Sequence, residues 1–120
     1  PRCSRRMRCR RVLERYEKQK ENTAYPMELH VVRVGDVAFA TNTFECFSEF
    51  GIRIQARSPA VQTFTVQLCA GYDYICYLPT DEAEEGQGYS ACVYCNEVGH
   101  EAGDVLVEET VKSLNALWKN

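Results

Sequence analysis

Apolar and polar positions along the chain fall into blocks with two different periods. Glu28–Val34 reads Glu-Leu-His-Val-Val-Arg-Val and is β-branched, which predicts a strand. Gly35-Asp36 reads as a turn and Val37–Thr41 as a returning strand, so the pair is expected to form a hairpin. From Phe44 to about Arg57 the period lengthens. Phe47, Phe50 and Ile54 recur at helical spacing, and their common face would lie on the sheet. Ser58-Pro59 ends that helix, because proline restricts the residue before it and cannot continue the ladder. Val61–Leu68 alternates again and predicts a third strand. Val107, Val111, Leu114 and Trp118 line one face of a last helix that Asp104 is placed to cap.

The flanking segments are less regular. Met7 to about Lys20 is helical in pattern, with Val12, Leu13 and Tyr16 as a short apolar face, and Asn22, Thr23 and Pro26 break it. Residues 71–100 are rich in Gly, Tyr and acidic side chains and predict a long loop with a short helix near Asp81–Glu85. Loops of that length in compact domains are commonly functional or disordered. The whole reads as an α/β fold, a β-hairpin plus at least one further strand in a mixed sheet covered by helices. Residues 1–24 form a basic N-terminal helix and residues 25–120 the α/β segment proper.

Charge sharpens that division. Residues 1–20 carry nine basic side chains against two acidic ones, whereas the remaining hundred carry five against fifteen. Arg2, Arg5, Arg6, Arg8, Arg10 and Arg11 could contact phosphates. No aromatic RNA-binding motif accompanies them and the acidic remainder would repel a polyanion, so a solvated or partner-facing helix end is the expectation rather than nucleic acid. A membrane-spanning helix needs about 18 consecutive apolar residues, and no such run occurs. Pro1 in place of an initiating Met reads as a processed or truncated chain.

Cysteine usage is high and odd, at positions 3, 9, 46, 69, 76, 92 and 95. Cys46 and Cys69 lie in apolar stretches and read as small buried hydrophobes. His30 reads as a packed, hydrogen-bonded strand residue, and His100 as exposed. Cys92-Val-Tyr-Cys95 is a CxxC pair, and with His100 and an upstream Cys76 it could close a structural zinc site. No GxSxG elbow, GxGxxG turn or Walker loop is present, which removes the serine-hydrolase and nucleotide-binding readings.

Three stretches in order carry a resemblance. The first is Glu28 through Ala40, followed by Glu45 and a helix ending in Arg57-Ser58-Pro59. The second runs from Thr63-Phe-Thr-Val-Gln-Leu through Gly71-Tyr72 to Tyr77-Leu78-Pro79-Thr80. The third is Ala83, Gly86 and Gly88-Tyr89. Together they resemble the end of the catalytic region of the neutral/alkaline non-lysosomal ceramidases and their bacterial relatives, over roughly residues 10–120. The resemblance implies a zinc-dependent amidase acting on N-acyl sphingosines, its metal held by two His, one Glu and one Tyr with a water on the open side. Glu45 matches that Glu, expected at the positive end of a helix dipole, and Tyr77 matches that Tyr. Neither His30 nor His100 matches a ligand His. The resemblance therefore implies that this chain is a fragment of a larger α/β catalytic domain. Its partner would be an upstream region bringing the histidines and the catalytic serine, and it would have no catalysis of its own. Tyr72 and Tyr89, in the long loop, would line the entrance for a lipid amide. Apolar surface left where the upstream region packs would favour self-association. The rival reading is a stand-alone α/β interaction module built on the Cys76, Cys92, Cys95, His100 zinc site, without catalysis.

Overall fold

A computed structural model describes residues 2–21, 23–69 and 76–119. The hairpin forms as expected. β1 (Val31–Val34) and β2 (Val37–Thr41) pair antiparallel, Val34 facing Val37 across the turn at Gly35, whose φ of 62° suits glycine. The chain then crosses through α2 (Ser48–Arg57) and returns as β4 (Gln62–Val66), parallel to β2. The sheet order is β1-β2-β4, the mixed α/β arrangement read from the sequence.

Between β2 and α2 lies an element the periodicity concealed. Phe44 is not the start of a helix. The chain bends at Asn42, whose side-chain oxygen accepts the Phe44 N–H at 3.0 Å, and runs extended through β3 (Glu45–Cys46). β3 pairs in parallel with β5 (Tyr77–Leu78), a strand inside the segment expected to be loop. A short helix, α3 (Asp81–Glu85), follows as expected, with Thr80 accepting the Ala83 N–H as its cap. After a single 3-10 turn at Tyr89–Ala91 the chain enters α4 (Glu101–Leu117). That helix starts earlier than predicted. Asp104 sits in its first turn rather than capping it, and its carboxylate meets Arg53 of α2 at 2.6 Å. α1 (Arg2–Lys18) likewise begins ahead of Met7.

The core lies between the sheet and helices α2 and α4. β2 turns Ala38 and Ala40 inward, and these small side chains leave room for Phe50 and Ile54 of α2 and Leu106, Val107, Val111 and Leu114 of α4. Gly103, Leu106, Val107, Thr110, Val111 and Leu114 form one buried stripe of α4, spaced as a single helix face requires. Each fully buried Leu or Val contributes about 1.5–3 kcal/mol of burial. α2 and α4 meet most closely where Gly103 passes the ring of Phe50, and Arg57 and Glu108 close the contact as a bidentate ion pair. Among the described residues no helix is long and apolar enough to cross a membrane.

The opposite face of the sheet has no cover among the described residues. Val32, Phe39 and Phe64 stand side by side on it, the two rings stacked 5.2 Å apart, and Phe39 and Phe64 are 38% and 47% exposed. An apolar face of this kind on a small chain favours association. Sedimentation velocity is expected to show the wild type associating as concentration rises. Phe39→Ser with Phe64→Ser should return it to a monomer, and a wild type that stays monomeric at every concentration would refute this.

Candidate functional site

Glu45 and Tyr77, the two residues singled out by the ceramidase-like motifs, are brought together. They are register partners on β3 and β5, held by main-chain bonds from Glu45 N–H to Cys76 O (3.1 Å) and Phe47 N–H to Leu78 O (3.1 Å). The cause is local alternation. Phe44 and Cys46 pack on the core side of β3, as do Cys76 and Leu78 on β5, so the residues between them turn to the other face. There the Tyr77 phenol faces the Glu45 carboxylate. That carboxylate raises the phenol's pKa above its ordinary value, with desolvation adding to it. Glu45 thus does not draw on a helix dipole, since it lies on a strand ahead of α2. Its anchoring comes from the sheet, and Cys46 beside it donates its N–H to Gln67 Oε1 at 2.9 Å.

A wall of rings stands next to the pair. Tyr89 meets Tyr77 edge-on at 6.0 Å and Tyr94 at 6.5 Å, and the Arg8 guanidinium of α1 covers the Tyr89 and Tyr94 rings at 5.8 and 5.4 Å. Tyr89 therefore lies in ring contact with Tyr77. Tyr72 lies outside the described residues. Asn96, buried in the same loop, was not singled out from sequence. With its amide nitrogen turned toward the surrounding carbonyls it donates to Tyr77 O (3.2 Å) and Ser90 O (3.1 Å), pinning the loop to β5. No spacing signal marks it. Asn42, a turn residue directly after a strand, carried a signal of the ordinary kind.

The alternative zinc set does not assemble. The Cys92 sulfur lies 3.0 Å from Gly88 O, to which its thiol donates, while Cys76 is buried beside Tyr25 and the Glu97 backbone, and burial pushes its thiol pKa up. Among the described residues no group of three or more His, Cys, Asp or Glu side chains is arranged to hold a metal ion. Two cysteines read as buried, Cys46 and Cys69, are partly exposed, whereas Cys76 and Cys95 are the buried ones. His30 is exposed against Glu28 at 2.6 Å rather than packed in the sheet.

His100 is partly exposed and already committed. Its Nδ1 lies 2.7 Å from Glu84 and its backbone N–H donates to the same carboxylate at 3.1 Å, tying α3 to the start of α4. The Glu84 hydrogen bond raises the imidazole pKa, outweighing desolvation, and Glu101 and Asp81 add to it. A folded-state pKa above the unfolded one gives stability that is complete below the unfolded value and is lost as pH rises through the folded one. The thermal midpoint should therefore fall as pH rises above the ordinary imidazole value of about 6.5, by a component that Glu84→Gln removes. An identical slope in the variant would show that the pair does not set it.

Glu45 and Tyr77 present a carboxylate and a phenol on the same face of the β3–β5 pair. A carboxylate and a phenol offer two oxygen ligands on one partly exposed face, and a catalytic zinc takes about three protein ligands plus water. Compared with protein-family models, curated proteins and solved structures, the chain matches none.

Proposed function

We propose that this chain forms one wall of a ceramidase-type zinc amidase, a hydrolase of N-acyl sphingolipid-like amides, and contributes Glu45 and Tyr77 as two of the metal's ligands. The observation that carries this reading is the register of β3 and β5. Two residues selected from distant sequence motifs lie directly opposite one another, and the Glu45 carboxylate raises the pKa of the Tyr77 phenol. The remaining ligands would come from a region outside these 120 residues, and the uncovered sheet face supports a partner segment of that kind.

When bound at such a site, zinc supplies an activated water and polarises the substrate carbonyl. The residues of this chain supply position. Paired strands fix the main chain at Glu45, Asn96 holds the Tyr77 carbonyl, the Tyr89 ring flanks the phenol edge-on, and the rings of Tyr89 and Tyr94 present an apolar, hydrogen-bonding rim suited to the junction of a polar headgroup and an acyl chain. In a longer protein carrying this segment behind a region with two zinc-binding histidines, Glu45→Gln and Tyr77→Phe should each lower kcat for N-acyl sphingosine hydrolysis on the order of a hundredfold or more. Cys92→Ser should leave it near wild type. Full activity in Glu45→Gln would refute the assignment.

A further inference from the structure

The basic helix α1 presents two different stripes. Arg8, Val12 and Arg15 recur at helical spacing and face the 89–97 loop, where Arg8 covers the Tyr89 and Tyr94 rings and Arg15 donates to the carbonyls of Val93 and Asn96. On the far side of the helix, Arg6, Arg10, Leu13 and Glu17 recur at the same spacing, Glu17 paired with Lys20, and Met7 lies on the flank of that stripe. Met7 and Leu13 are 55% and 66% exposed, and no acidic side chain occurs before Glu14, which pairs with Arg10 at 2.9 Å.

We propose that the outward stripe of α1 docks on an anionic lipid surface. Positive charge complementary to acidic headgroups is half of the argument, and the exposed apolar side chains are the other half. A phosphate backbone offers Met7 and Leu13 nothing, whereas the boundary between headgroups and acyl chains removes them from water while the arginines stay at the phosphates. Duplex nucleic acid would also lie against the acidic remainder of the chain, which a single helix resting on a plane avoids. The inward stripe ties the helix to the rings beside Tyr77, so docking by the outward stripe would bring the candidate site close to the bilayer. That consequence, though not the docking itself, rests on the amidase reading.

The test is co-sedimentation of the full chain with phosphatidylcholine vesicles and with vesicles containing about a third phosphatidylserine. Binding is expected only to the anionic vesicles. Arg6→Gln with Arg10→Gln should weaken it about 25-fold, at about fivefold per arginine. Leu13→Gln should weaken it further, and Glu14→Gln, which releases Arg10, should strengthen it. All these positions are exposed, and circular dichroism of each variant confirms that the helix persists. Glu45→Gln should bind as wild type, so failure of the amidase reading leaves this result untouched. The proposal is overturned if anionic vesicles do not carry the chain down, or if the double arginine variant binds unchanged. It is overturned equally if duplex DNA binds more tightly than the vesicles and competes with them.

Discussion

Replacing Leu78 by alanine is expected to cost about 2–5 kcal/mol of stability and to disturb the candidate site at the same time. Leu78 has no exposed surface and belongs to the main core cluster, so truncation leaves a cavity that the surrounding helices and sheet fill only in part. Its effect reaches further than volume. β5 is two residues long, and its pairing to β3 rests on Glu45 N–H to Cys76 O and Phe47 N–H to Leu78 O. Leu78 is the inward anchor that turns Tyr77 outward toward Glu45. Chemical denaturation of Leu78→Ala should show the loss in stability. The tyrosine titration of the folded variant should move toward that of an ordinary phenol, because the Glu45 carboxylate that raises the Tyr77 pKa is no longer held against it. A variant that loses stability while Tyr77 titrates as in the wild type would show that Leu78 does not set the orientation.

The second large effect is expected at Gly103, where alanine should lower the thermal midpoint on the order of 10 °C, from an overpacking cost of about 1–3 kcal/mol. A methyl group there would overlap Cε1 and Cζ of Phe50. Phe50 is buried at 2% exposure between α2, α4 and the sheet, so its ring has little space into which to retreat. Glycine elsewhere in a helix interior is a liability worth about 1 kcal/mol against alanine. Here the sign reverses, since the missing Cβ is what lets α4 approach α2. Pairing Gly103→Ala with Phe50→Leu should recover part of the loss. If the two substitutions are simply additive in thermal denaturation, the contact is not the cause.

These two sites mark how much of the molecule could be read in advance. The hairpin was legible because Val31–Val34 and Val37–Thr41 flank a glycine turn, and α4 because its apolar positions keep one period over four turns. β3 was not, for a specific reason. Phe44, Phe47 and Phe50 fit helical spacing, while Phe44, Glu45 and Cys46 alternate as a strand, and two residues of alternation are too few to outweigh a helix pattern. What decided the contest was β5, a partner supplied by tertiary structure. β5 itself hid among glycines, tyrosines and acids, since among the described residues Cys76 and Leu78 alone turn inward to mark it. The candidate pair was legible in identity, through motif resemblance, and not in geometry. Glu45 was expected at a helix start and sits instead on a strand. The cysteine and histidine set failed because spacing along the chain does not record that the Cys92 sulfur turns to Gly88 O or that Glu84 already holds His100.

The most direct test of the Glu45–Tyr77 half-site is a zinc titration of the isotope-labelled chain followed by amide chemical shifts. The account predicts weak, saturable shifts centred on Glu45, Cys46, Tyr77 and Leu78, abolished by Glu45→Gln and retained in Cys92→Ser. Shifts centred on Cys92, Cys95 and His100 that survive Glu45→Gln and vanish in Cys92→Ser would contradict it and move the metal chemistry to the loop.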